Sequence, residues 1–124
     1  MNKVILIGRL TADPNLRYTQ SGNAVANFTL AVDRPFVNQS GEKGTDFIDI
    51  VTWRKLAEIV ASNLEKGRLV AVEGRLQIRS YEDQNGVRRK AAEIVADQVK
   101  FLDYRRQDKS QSEMTESEFD DFPF

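Results

Sequence analysis

Apolar and polar residues alternate with a period of two along residues 24–33 and again along residues 68–81. This spacing predicts two β-strands, because successive side chains of a strand point to opposite faces of the sheet. The apolar faces consist of Ala26, Phe28, Leu30 and Val32 in the first strand and of Val70, Val72, Leu76 and Ile78 in the second. We therefore expect both strands to cover one core with these faces.

Three more strands and one helix are predicted from the remaining pattern. The strands are expected over residues 1–10, 45–53 and 91–102, and the helix over residues 54–66, with Gly67 at its C-terminal end. Residues 11–22 are predicted as turns, and Asn85-Gly86 as the turn of a hairpin. The run from Val4 to Ile7 is apolar on both faces, which indicates either a central strand covered on both sides or a subunit interface.

The predicted order is three strands, one helix and two strands. This is the order of the OB-fold, an all-β, five-stranded and partly open Greek-key barrel, here with one helix between strands 3 and 4. An SH3-like barrel is the main structural alternative, but it would not need a helix of thirteen residues, 54–66, at that place.

The chain of 124 residues contains neither cysteine nor histidine. This excludes disulfides, thiolate nucleophiles, imidazole bases and zinc sites built on either residue. The segment SGEKG at residues 40–44 lacks the spacing of a phosphate-binding loop, and no run approaches the roughly 18 apolar residues of a membrane span. The sequence therefore predicts a soluble, cytoplasmic protein that is not an enzyme, does not enter a membrane and uses no metal or cofactor.

Charge is distributed unevenly along the chain. Residues 1–106 carry 17 basic and 13 acidic side chains, a net charge of +4, whereas residues 107–124 carry a net charge of −5. We expect a folded domain over residues 1–104, a disordered linker over residues 105–118 and an acidic protein-interaction tip over residues 119–124. A basic body favours a polyanionic partner and an acidic tail a protein partner. A solvated surface with a disordered end would have the same composition.

Two predicted strands carry aromatic and basic side chains on the faces turned away from the core. They are Phe47 and Trp53 in one strand and Arg75, Arg79 and Tyr81 in the other. Aromatic rings beside cations are typical of single-stranded nucleic-acid binding, because bases stack on the rings while phosphates contact the cations. A basic hairpin tip such as Arg88-Arg89-Lys90 is an ordinary solvated loop in most proteins, but next to a stacking face we expect it to clamp the phosphate backbone. The alternative is that Phe47 and Trp53 pack under the helix or against a neighbouring subunit.

Several segments together resemble bacterial single-stranded DNA-binding protein. They are NKVILIGRL at residues 2–10, DP at 13–14, RY at 17–18, GNAVANF at 22–28, WRKLAE at 53–58, EGRL at 73–76 and DDFPF at 120–124. Each segment alone is weak, but the joint pattern covers residues 1–104 and the last six residues. The resemblance implies an OB-fold homotetramer that wraps single-stranded DNA without sequence preference during replication, recombination and repair.

The resemblance also implies roles for individual residues. The family's stacking aromatics fall on Phe36, Phe47, Trp53 and Tyr81, and its backbone-contacting cations include Arg17, Lys55, Arg79 and Arg89. The tip that recruits replication, recombination and repair proteins falls on Phe119, Asp120, Asp121, Phe122, Pro123 and Phe124. Several members carry Trp at the positions of Phe36, Phe47 and Tyr81, so stacking here is expected to be weaker per site. The linker is also shorter than in many members.

Two other functions compete with this hypothesis. An OB-fold that binds RNA would have to engage the 2′-hydroxyl groups, and only the resemblance argues against it. A protein-interaction adaptor would instead bury Phe47 and Trp53 in a protein interface and use the tail as its functional motif. The residues alone do not assign Tyr18 or Phe36, which lie on predicted loops.

Overall fold

The computed structural model describes residues 1–103. Its elements are β1 (Val4–Leu10), β2 (Asn15–Tyr18), β3 (Ala24–Val37), β4 (Lys43–Trp53), α1 (Arg54–Asn63), β5 (Leu69–Glu82) and β6 (Arg88–Phe101). Each strand predicted from the sequence is present, and the helix lies where it was expected. The predicted linker over residues 105–118 and the predicted tip over residues 119–124 lie outside the described residues.

Five strands close into a barrel. They are hydrogen-bonded in the order β1-β5-β6-β4-β3, and a further pairing between β1 and β3 completes the circle. The pairing of β4 with β6 is parallel and the others are antiparallel. Strand β2 pairs only with β3 and adds a short edge. This is the OB-fold that the sequence predicted, with α1 between the third and fourth strands of the barrel.

One apolar cluster fills the barrel. Among its fully buried members are Leu30, Ile50, Val70 and Val72 from the strands and Val60 from α1. The helix therefore seals the same core that the strands enclose. Burying a side chain of this size contributes about 1.5–3 kcal/mol to the free energy of unfolding, and this term stabilises the barrel.

Two glycines permit close approaches between strands. A Cβ at Gly8 on β1 would overlap the carbonyl oxygen of Ala31 on β3, where the barrel closes. A Cβ at Gly74 on β5 would overlap the carbonyl oxygen of Val95 on β6. Neither glycine has a positive φ, so both are required by space rather than by backbone conformation.

A β-bulge interrupts the pairing of β5 with β6 beside Gly74. Glu73 faces Gln98 and Gly74 faces Ala96, so Asp97 has no partner residue on β5. Beyond the bulge, Ile94 and Val95 of β6 still pair with β4, and the two strands then continue to Glu82 and Arg88 as a hairpin arm that extends past the core. A bulge bends its strand and increases the local twist, and this sets the direction of the arm.

The arm corrects two predictions. Leu76 and Ile78 were expected to face the core with Val70 and Val72, but they are 43% and 52% exposed. The predicted alternation of β5 is correct, but it continues beyond the part of the strand that covers the core, so these two side chains face solvent. Strand β6 also begins at Arg88 rather than at residue 91, so Arg88-Arg89-Lys90 lies in a paired strand and not at the hairpin tip.

Strand β2 was missed because residues 11–22 were predicted as turns. Its four residues are all exposed, so no apolar face marks it in the sequence, and backbone pairing with β3 forms it instead. The helix is shorter than the predicted 54–66. It ends at Asn63, because Leu64 is already extended and the N–H of Lys66 donates to the Asp13 carboxylate at 2.8 Å. Gly67 therefore lies in the following turn, with a φ of +89°.

The end of the described chain is held by Asp103. Its carboxylate accepts a hydrogen bond from Nε of the buried Arg68 at 2.8 Å and another from the N–H of Leu69 at 3.2 Å. Arg68 also donates to the Asp103 carbonyl oxygen at 3.0 Å. These charge-assisted bonds fix residue 103 beside the first residue of β5.

The close approach at Gly74 leads to a stability prediction. We expect Gly74→Ala to lower the free energy of unfolding by about 1–3 kcal/mol, because the new methyl group meets rigid backbone. Gly44→Ala is the matched control, since a Cβ there meets only the flexible side chain of Arg34. Urea denaturation at one protein concentration measures both variants. Equal stability of the two variants would contradict the close-approach argument.

Candidate nucleic-acid interface

Strand register places the sequence-predicted residues on one exterior surface of the barrel. Directly opposed residues of neighbouring strands share a face. Trp53 on β4 opposes Val25 on β3, which in turn opposes Arg17 on β2. The next row on the same face runs from Val51 on β4 across Val95 on β6 to Arg75 on β5. We call this surface, from Arg17 to the arm, the exterior face.

Large aromatic rings are exposed on this face. Trp53 is 44% and Phe47 68% exposed, and both project from β4 on the side away from Ile50. In the single chain neither ring is packed under α1. Tyr81 is exposed near the end of the arm, and Phe36 is exposed near the end of β3, a segment that the sequence analysis expected to be a loop. The four rings extend from the β3–β4 hairpin to the arm.

The basic residues divide between two faces of the arm. Arg75, Arg79 and Arg89 share the exterior face with Tyr81, because Tyr81 opposes Arg89 and residues two apart point the same way. Arg88 opposes Glu82 and Lys90 opposes Ser80, so both lie on the reverse face. Lys55 lies in the first turn of α1, next to Trp53 along the chain. The predicted cluster is therefore split by register.

Two of the arginines are already paired with carboxylates. Nε of Arg79 lies 3.2 Å from Glu93, whose side chain is largely buried on the same face. Nε of Arg89 donates to Asp83 at 2.9 Å. That bond, with hydrogen bonds from the N–H groups of Val87 and Asn85, lowers the pKa of Asp83. A phosphate would have to compete with both carboxylates.

Arg17 and Arg75, by contrast, form no ion pair with any residue from 1 to 103. Both are exposed, and they lie on either side of the exposed rings on β4. A phosphate that approaches them exchanges only water, so their contacts form without loss of an internal bond. These two cations, like the exposed Lys55 beside Trp53, are therefore available to an anion without such an exchange.

The junction between Trp53 and α1 is strained. Arg54 has a φ of +58°, in the left-handed region that favours glycine, and a non-glycine residue there costs about 1–3 kcal/mol. The conformation turns the chain from β4 into α1 within one residue. It thereby places Trp53 at the end of the sheet, with the first turn of the helix beside it. Nothing in the sequence pattern indicated this strain.

A cavity of about 460 Å³ opens beside Trp53. Arg54, Arg75 and the bulge residue Asp97 also line it, and Val95 forms part of its apolar wall. The sequence analysis missed Asp97 and Arg54. A bulge is created by the pairing of two distant strands, so no local pattern marks the residue that it leaves unpaired. No group of three acidic side chains converges to hold a metal ion within residues 1–103.

The comparison with known families decides the relationship of this chain. The sequence profile of the "Single-strand binding protein family" matches residues 1–102. The chain belongs to this family. The resemblance found in the sequence is thus confirmed.

Named relatives support the same assignment. "Single-stranded DNA-binding protein" of Caldanaerobacter subterraneus subsp. tengcongensis is 62% identical over 103 residues, 83% of this chain and 69% of that protein. "Single-stranded DNA-binding protein A" of Bacillus subtilis is 58% identical over 103 residues, 83% of this chain and 60% of that protein. "Single-stranded DNA-binding protein 2" of Listeria monocytogenes is 57% identical, and the match spans 64% of its length. The chain thus matches less than two thirds of the last two.

Membership of the single-strand binding protein family also settles the question of catalysis. The family and these relatives are named for binding and not for a reaction, so the chain is not an enzyme, as the sequence predicted. The helix among residues 1–103 is not long and apolar enough to cross a membrane.

Proposed function

We propose that this chain binds single-stranded DNA along the exterior face, without a general sequence preference. The observation that carries the proposal is the exposure of Trp53 and Phe47 on β4 between the unpaired cations Arg17 and Arg75. Each base that stacks on a ring contributes about 1–3 kcal/mol, and every base has a π-face to stack. Arg17 and Arg75 lie where the phosphates of such a strand would run.

Along the arm, binding proceeds by exchange of partners. Tyr81 supplies a ring at the far end, and Phe36 one at the opposite side of the face. Arg79 and Arg89 leave Glu93 and Asp83 when they contact phosphates, which reduces the net gain from each contact. Lys55 adds a charge beside Trp53, and Arg88 and Lys90 are available to a strand that passes around the reverse face of the arm.

The proposal places the chain with DNA in the cytoplasm, where single strands appear during replication, recombination and repair. Protection of such strands requires binding that tolerates every sequence. Contacts through ring faces and phosphates meet this requirement, because neither reads the edge of a base.

The first test of this function follows Trp53, the only tryptophan of the chain. We expect oligo-dT to quench its fluorescence, and a matched oligo-U to bind more weakly. Trp53→Ala should weaken oligo-dT binding by about 1–3 kcal/mol per site, measured by anisotropy of a labelled oligonucleotide.

Tyr18→Ala is the matched control for that test. Tyr18 is exposed but lies on the opposite side of β2 from Arg17, so its loss should leave the affinity unchanged. Tight oligo-dT binding with unaltered fluorescence would contradict the stacking role of Trp53. Preference for oligo-U would favour an RNA-binding function, and binding of neither would favour the adaptor.

We further propose that four chains assemble through β1. Ile5 and Ile7 are 65% and 56% exposed on the outer side of this strand, and adjacent exposed apolar side chains of this size mark interaction surfaces. Their exposure favours the subunit-interface interpretation of the two-sided apolar run over that of a central strand. A closed homotetramer buries them by symmetry.

Light scattering tests the assembly at micromolar protein. We expect a mass of about 56 kDa, four times the chain mass of 14.1 kDa, and a lower mass for Ile5→Lys with Ile7→Lys. Ile59→Lys is the control, since Ile59 is exposed on α1 and not on β1. A wild-type mass of one chain would refute the proposal.

The acidic tip is proposed to recruit replication, recombination and repair proteins. Three of the seven phenylalanines of the chain lie within residues 119–124, beside Asp120 and Asp121. A receptor with an apolar pocket and a basic rim would accept such a segment. The net charge of −5 over residues 107–124 also competes with DNA for the basic residues of the exterior face.

Separate variants distinguish these two roles of the tail. Phe124→Ala should abolish pull-down of repair and replication proteins and leave the affinity for oligo-dT unchanged, and Met114→Ala should change neither. Removal of residues 107–124 should instead increase the affinity for oligo-dT, most clearly at low salt, where charges are least screened. Loss of DNA affinity on removal of the tail would contradict the competition.

A further inference from the structure

The cavity beside Trp53 combines three kinds of recognition chemistry. Trp53 supplies an aromatic wall, Arg54 and Arg75 supply cations, and Asp97 supplies a carboxylate. Its volume of about 460 Å³ lies within the range of small-ligand pockets. A stacking surface, a cation and a hydrogen-bond acceptor are the groups that one nucleotide engages through its base face, its phosphate and its base edge.

Asp97 is placed here by the bulge. Gly74 opposes Ala96 and Glu73 opposes Gln98, so Asp97 stands alone between two paired positions. Its side chain is exposed and forms no hydrogen bond or ion pair with residues 1–103, although Arg75 lines the same cavity. Its carboxylate oxygens are therefore open to a donor from outside the protein.

A free carboxylate is unexpected on a surface that binds phosphates, since it repels them. On the exterior side of the arm and at its tip, Glu93 and Asp83 are each held by an arginine, and Glu82 lies on the reverse face opposite Arg88. Asp97 is not compensated in this way. The repulsion is offset if the carboxylate meets the N–H donors of a base while the phosphate stays at the cations.

We propose that the cavity seats one nucleotide of the bound strand and that Asp97 selects guanine at this position. This rests on the proposed binding of single-stranded DNA along the exterior face. The base stacks on Trp53, its phosphate contacts Arg75 and Arg54, and its Watson–Crick edge faces Asp97. Guanine presents two adjacent donors, N1–H and the N2 amino group, which match the two oxygens of one carboxylate.

The other bases match Asp97 less well. Cytosine and adenine each present one amino group beside a ring nitrogen acceptor, and thymine presents one N3–H between two carbonyl oxygens that a carboxylate repels. The rest of the exterior face is indifferent to base identity. The cavity thus adds a local preference for guanine to binding that is otherwise independent of sequence.

The test uses the full chain and labelled dT oligonucleotides of one length that carry isolated dG, dI, dC or no replacement. Isolated replacements avoid structures formed by runs of guanine, and dI lacks the N2 amino group but keeps N1–H. We expect the dG oligonucleotide to bind about fivefold or more tighter than the unreplaced one, with dI between them. In Asp97→Asn this ratio should fall to nearly one.

Asp49→Asn is the matched control. Asp49 lies on the exterior face outside the cavity, where its carboxylate accepts from Thr29 at 3.2 Å, so this variant removes the same charge but should keep the preference for dG. Equal affinity of wild type for the dG and unreplaced oligonucleotides would overturn the subsite and leave the proposed function standing. A dG preference that Asp97→Asn does not alter would overturn the role of Asp97. Absence of binding to every oligonucleotide would overturn the proposed function itself.

Discussion

The close approach of β5 to β6 at Gly74 is the constraint on which the rest of the structure depends. Only a residue without a Cβ lets the Val95 carbonyl oxygen lie where it does, and the bulge forms at the same point. On the side of Glu73 and Gln98 the two strands form barrel wall; on the other side Ile94 and Val95 still pair with β4, and the strands then continue as the arm. The bulge therefore determines how far Arg75, Arg79 and Tyr81 project from the barrel, and it isolates Asp97.

Local alternation was sufficient to predict the barrel and most of its surface. It separated Phe28 and Leu30 from the solvent-facing side of β3, and it put Phe47 and Trp53 outside, where the structure has them. Alternation did not predict those features that depend on backbone pairing between strands rather than on burial of side chains. Strand β2 has no buried residue. Leu76 and Ile78 lie on the same side of β5 as Val70 and Val72, but they are beyond the core and therefore exposed. Arg88 and Lys90 lie on the opposite face of the arm from Arg89, which likewise follows from the register of β6 against β5.

The net charge of the folded domain does not show which basic residues of the exterior face are free to bind an anion. The excess of basic residues in the first 106 positions suggests a uniform attraction for phosphate. In the structure Arg79 and Arg89 are bound to internal carboxylates, whereas Arg17 and Arg75 are free of ion pairs with described residues. A DNA strand would therefore meet cations without ion pairs beside Trp53 and cations already paired with carboxylates along the arm. In the proposed binding mode, affinity would be concentrated near the barrel, and the arm would add contacts that require Arg79 and Arg89 to leave their carboxylates.

The hydrogen bonds that fix Asp103 to Arg68 and Leu69 also determine the origin of the acidic tail. Leu69 is the first residue of β5 and Tyr81 lies next to its last, about 40 Å farther along the strand at the usual rise. The chain after residue 103 therefore begins beside Leu69, at the barrel and not at the end of the arm. Under the proposed competition between tail and DNA, a negatively charged tail that begins at residue 103 would act more strongly near Arg75 than near Tyr81.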